Sequence, residues 1–87
     1  MTEPYEIFLR SEAIKSLGEI RGTPRKAIAG FIDSLALDPS STGDYTVEDA
    51  TGRVICIKVL GTQAVTFWAD HAVKEIKITD IRSADRA

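Results

Sequence analysis

Two hydrophobic periods divide this chain, one helical and one extended. In "YEIFL", Tyr5, Ile7 and Leu9 alternate with Glu6 and Phe8, which predicts a short strand with those three side chains on one face. The period then lengthens. Ser11 is positioned to cap a first helix in which Ile14, Leu17 and Ile20 share a broad side, and Gly22 lets the chain turn. In "TPRKAIAGFIDSLALDP", Thr23 is expected as the N-cap and Pro24 at the first helical position, where its missing N–H costs nothing. Ile28, Phe31, Ile32 and Leu35 follow at helical spacing as a stripe for a core, and Pro39 stops the helix near Asp38. "SSTGD" reads as loop, and Tyr45 to Glu48 as a short extended piece.

From Arg53 onward the period is two. The most apolar faces are Ile55, Ile57 and Val59 in "RVICIKVL", Val65 and Phe67 in "AVTFWA", and Ile76 and Ile78 in "VKEIKITDI". If all three sets point inward, a three-residue turn "GTQ" is required, pairing Leu60 with Ala64 and Ile57 with Phe67. A two-residue turn at Gly61 and Thr62 would instead set Lys58 opposite Val65 and mix the faces. At the next corner, a four-residue loop from Asp70 to Val73 suits the residues better than a two-residue loop, because His71 and Ala72 do not supply positive backbone angles.

This parity sends Cys56, Lys58, Thr66, Trp68, Glu75 and Lys77 to the uncovered side of the sheet. Lys58, Thr66 and Lys77 would form one cross-strand row, and Cys56, Trp68 and Glu75 another. Such a face could receive a phosphate or an acidic partner, with Trp68 as an aromatic anchor. Arg82 and Arg86 after the last strand, and Arg53 at the strand start, read either as an extension of its positive charge or as solvated side chains. Asp70 and His71, beside the only tryptophan, sit at a hairpin corner. With no serine or cysteine nucleophile placed beside them, they read as turn chemistry and not as part of a hydrolytic triad.

Composition narrows the class. The 87 residues suffice for one domain, residues 1–87, and 44% hydrophobic with 28% charged residues is a globular balance. The net charge of −2 provides no global attraction to nucleic acid. No apolar run approaches the roughly 20 residues of a membrane span, and "MTEPYEIF" lacks the basic start of a signal peptide, so a cytoplasmic protein with no membrane partner is expected. A lone cysteine and a lone histidine give neither a disulfide nor a metal set, and no cofactor is implied.

The order strand, two helices, Asp-Pro, loop and closing antiparallel strands, taken with "FLRSEAIKSL", "RKAIAGFIDSLALDP", "GRVICIKVLG" and "TFWADHAVKEIKITDI", resembles the RelE/ParE superfamily of toxins from type II toxin-antitoxin modules. The resemblance covers nearly the whole chain. It implies an α+β fold with a helical hairpin on one face of an antiparallel sheet, a growth-arresting toxin, and a cognate antitoxin as partner. RelE-like members cut messenger RNA on the ribosome; ParE-like members inhibit DNA gyrase, and such modules stabilise plasmids. By this resemblance Lys58 and Arg82 would be catalytic; Arg53, Trp68, Lys77 and Arg86, from the reading of the open face, are the candidate binding residues. A homo-oligomer is compatible with the family. Where RNA-cleaving members carry a phosphate-binding arginine this chain has Gln63 or Ala64, and no tyrosine follows Ile81. The activity expected is interference with translation through the face of Lys58, Lys77 and Arg82; the alternatives are gyrase inhibition and a non-catalytic interaction module on the same fold.

Overall fold

The computed structural model describes residues 3–84; Arg86 lies outside them. Strand β1 (Glu6–Leu9) leads into helices α1 (Ser11–Glu19) and α2 (Thr23–Leu37), and four strands follow: β2 (Tyr45–Glu48), β3 (Val54–Leu60), β4 (Gln63–Asp70) and β5 (Glu75–Ser83). They form one five-stranded sheet in the order β1-β5-β4-β3-β2. β1 runs parallel to β5 and every other pair is antiparallel. The helical hairpin thus carries the chain from one edge of the sheet to the other across a single face.

The core lies between hairpin and sheet. Ile28, Ile32 and Leu35 of α2, Ala13 of α1, Val65 and Phe67 of β4, and Ile76, Ile78 and Ile81 of β5 are all buried. Phe31 meets the Phe67 ring edge to face at 5.6 Å, a geometry that adds about 0.5–1.5 kcal/mol beyond burial. The α2 stripe is the expected one. In α1 the stripe is narrower than its spacing suggests: Ala13 is buried, Leu17 and Ile20 pack on the core, and Ile14 faces solvent.

Neither expected cap forms. Arg10 occupies the N-cap of α1, and Ser11 is its first residue, donating its hydroxyl to Glu12. Gly22, at φ 70°, occupies the N-cap of α2, so Thr23 is helical and Pro24 stands one place later than predicted, still within the first turn.

Two details of the sheet reset the parity of its side chains. Leu60 pairs with Gln63, so the β3-β4 turn has two residues, Gly61 and Thr62, and not the expected three. Gly61 adopts φ 63° while Thr62 stays out of the left-handed region, the pattern of a type II′ turn with glycine at its first central position. Cys56 and Lys58 are consequently opposite Phe67 and Val65 on the helix side, and Ile57 and Val59 turn to the open side opposite Thr66 and Ala64. In β5, an extra residue at Thr79 opposite the Thr66/Phe67 step makes a bulge. Ile78 and Ile81, three apart, both face the core because of it.

The β4-β5 loop has four residues, as predicted in length, but spans residues 71–74, with Asp70 in the strand opposite Glu75. Phe67 pairs with Ile78 and not with Ile76, although all three share the core layer. Lys74 takes the positive φ, 56°, that closes the loop. The four-residue β2 forms where an extended piece was expected.

Candidate functional site on the open face of the sheet

The face away from the helices divides into two halves. Across β1, β5 and β4, Phe8 pairs with Lys77 and Lys77 with Trp68. The Lys77 ammonium lies 4.6 Å from the Phe8 ring centre, and the Arg53 guanidinium lies 4.0 Å from the centre of the indole. Aromatic and cationic groups therefore alternate across the sheet as Phe8, Lys77, Trp68 and Arg53, each cation partly satisfied by a ring. Across β3 and β2 the same face is apolar, with Ile55, Ile57 and Val59 beside Val47 and Tyr45.

Among the described residues, four cations of this region form ion pairs. Lys77 Nζ meets Glu75 at 2.5 Å, and Arg82 donates from Nε to Asp80 at 2.6 Å and again from its terminal nitrogen. Arg10 meets Glu12 at 3.2 Å, and Lys58 meets Asp44 at 3.3 Å. The acidic partners of Lys77 and Arg82 sit two residues away in β5, so the extended backbone itself delivers each of these pairs to one side, while Glu12 meets Arg10 from the first turn of α1. Such half-exposed pairs stabilise little, yet each lowers the charge available to a ligand.

Lys58 is not where the parity argument placed it. It leaves the sheet on the helix side, opposite buried Val65, at a point the hairpin does not cover, and its ammonium reaches out to Asp44. The row Lys58, Thr66, Lys77 therefore does not exist, and Lys58 and Lys77 point to opposite faces. Cys56 is likewise removed from the row with Trp68; it is buried under α2, and burial pushes its thiol pKa up. An inert packing role follows. Trp68, Lys77, Arg53 and Arg82 do share the open face.

Arg82 stands between two hollows of that face. One, of about 320 Å³, is lined by Arg10, Glu12, Thr66, Thr79, Asp80 and Arg82, two cations balanced by two acids with two hydroxyls between them. The other, of similar size, is lined chiefly by Tyr45, Ile57, Val59, Ala64 and Thr66, with Arg82 at its rim. Asp44, Asp80 and the apolar Tyr45, Ile57 and Val59 were absent from the sequence-derived site. The Gly-Thr dipeptide of the turn carried the signal that would have placed Ile57 and Val59.

Asp44 ties β2 to β3: its carboxylate accepts from the Val59 N–H at 2.7 Å and from Lys58. The backbone hydrogen bond, helped by Lys58, holds its pKa below the usual 3.8. Asp70 and His71 mark the end of β4, as expected of a corner. The Tyr5 hydroxyl lies 2.8 Å from His71 Nδ1 and the two rings meet edge on, so the histidine staples the loop to the chain before β1. Among the described residues no group of three or more His, Cys, Asp or Glu could hold a metal, and no helix is long and apolar enough to cross a membrane.

No family model matches the chain, and no curated protein matches it. Solved structures do. A chain of the archaeal RelE-RelB complex from Pyrococcus horikoshii OT3 superposes with a TM-score of 0.79 at 20% identity, covering 97% of this chain and 99% of that one. A chain of the RelBE2 toxin-antitoxin complex from Mycobacterium tuberculosis gives 0.75 at 16% identity, over 92% and 98%. A chain of the intact E. coli RelBE toxin-antitoxin complex gives 0.72 at 11% identity, over 92% and 96%. The fold is therefore the one seen in these RelE-RelB complexes, with two helices on one face of a five-stranded mixed sheet.

Proposed function

We propose that this chain is the toxin of a two-component toxin-antitoxin module, silenced in the cytoplasm by a cognate antitoxin, and that it acts by gripping a protein target with its open sheet face. The observation that supports the toxin reading is the end-to-end likeness to chains solved in RelE-RelB complexes. The charge pairing on the face supports binding over RNA cleavage: Lys77 and Arg82 are engaged by Glu75 and Asp80, and Lys58 belongs to the other side. An RNA-cleaving centre must accept a proton from a ribose hydroxyl, stabilise a phosphate and protonate a leaving oxygen. The apolar half, beside Arg82 and the Trp68-Arg53 stack, instead has the composition of a protein contact. The ribosome's proteins and DNA gyrase are the target classes consistent with this reading.

A second reading, messenger cleavage on the ribosome, draws on the same fold and on Arg82, which would have to exchange Asp80 for a phosphate. Induced expression distinguishes the two. Growth arrest relieved by the antitoxin, with intact messenger and with the arrest abolished by Val59→Asp, is the expected result. Messenger cleavage lost in Arg82→Ala would favour the second reading, and harmless expression of the intact chain would remove the toxin role altogether. A supercoiling assay on the same cells separates gyrase from the ribosome.

A further inference from the structure

Strand β2 closes the sheet on one side and is bonded to β3 alone. The Asp49 N–H donates to the Arg53 carbonyl at 2.9 Å. From that rung, the alternation of an antiparallel ladder turns the amides and carbonyls of Thr46 and Glu48 outward, away from β3. All four residues of β2 are exposed. Proteins commonly guard such an edge with lysine, proline or a bulge, and "YTVE" carries none of these. Immediately behind the edge lies the apolar strip of Tyr45, Val47, Ile55 and Ile57 on the open face. On the opposite face Glu48 makes no ion pair among the described residues; Asp49, which follows it, accepts from Thr51 and from the Arg53 N–H.

We propose that β2 is a docking edge for an extended segment of a partner chain in which apolar residues alternate with lysine or arginine. The backbone of that segment would pair with Thr46 and Glu48. Its apolar side chains would continue the strip beside Tyr45 and Val47, and its cations would fall on the other face beside Glu48. Charge decides the occupant. A second copy of this chain would bring the Glu48 carboxylates of both molecules to one seam with no cation in either β2, whereas a basic-apolar segment neutralises Glu48. The inference rests on the edge itself and stands apart from the toxin reading.

The test uses the full chain and three synthetic probes: a capped peptide of alternating lysine and valine, its glutamate-valine counterpart, and the lysine-valine peptide N-methylated at alternate residues. With the first peptide, the Thr46 and Glu48 amides should show at least about tenfold slower hydrogen exchange, with NMR shift changes confined to β2 and the apolar strip. The other two peptides should leave both amides unchanged, and Glu48→Lys, at an exposed position, should exchange the preference towards the acidic peptide. Equal binding of all three peptides, protection elsewhere than β2, or a concentration-dependent dimer already occupying the edge would overturn the proposal.

Discussion

Asp44 shows how one side chain can set the behaviour of a sheet edge. Its carboxylate bonds to the Val59 amide and Lys58, and its folded pKa is depressed below 3.8. The stabilisation it provides is thus fully present above the unfolded value of 3.8 and disappears as the pH falls through the lower folded one. Asp44→Ala should therefore lower the melting temperature at neutral pH, and the gap from the wild type should shrink at roughly pH 2.5. A gap of constant size would deny the carboxylate its role. The neighbouring Gly43 is constrained by space as well as by angle. It has φ 68°, and a Cβ there would lie 2.6 Å from the Ile57 carbonyl oxygen. Gly43→Ala should cost more than about 1 kcal/mol in chemical denaturation, since the left-handed conformation alone costs a side chain that much.

At the scale of elements, the bulge of β5 is the device that keeps one strand facing one core. Ile76 and Ile78 obey a period of two, and Ile81 is buried only because Thr79 is looped out of register. Deleting Thr79 should leave Ile78, Asp80 and Ile81 in plain alternation, with Ile81 still in the core and a sharp thermal transition retained, whereas inserting a second residue beside Thr79 should turn Ile81 outward and abolish it; the reverse result would mean the bulge does not set the facing. The α2 stripe, β1, the existence of β2 and the corner at His71 were legible because local periodicity and turn residues specify them. The face of β3 was not. Its odd positions carry Ile55, Ile57 and Val59 and its even positions Cys56, Lys58 and Leu60, so a rule that sends the greasier set inward chooses wrongly. Turn chemistry outweighs that rule, because Gly61 makes the two-residue turn and fixes the register for the whole strand. The candidate site inherits the same reversal: Trp68 and Lys77 share a face as expected, Arg53 and Arg82 join them there, and Lys58 does not. The acids that neutralise Lys77 and Arg82 lie two residues away in sequence, where charge counting alone could not tell partners from neighbours.

For the molecule as a whole, the balance of charge and apolar surface on the open face is what separates this chain's proposed action from RNA cleavage. A net charge of −2, with Lys77 and Arg82 held internally, leaves little to attract a polyphosphate. The apolar strip of β3 and β2 supplies the alternative attraction, towards protein. The most direct test is the salt dependence of single-stranded RNA binding by the purified chain. Each phosphate neutralised on a single strand contributes a slope of about −0.7 in log affinity against log salt, so a face that engaged RNA with Arg53, Lys77 and Arg82 would give about −2. The account predicts no measurable binding at physiological salt and no change with Lys77→Ala or Arg82→Ala; tight binding with the steep slope, lost in those two variants, would contradict it.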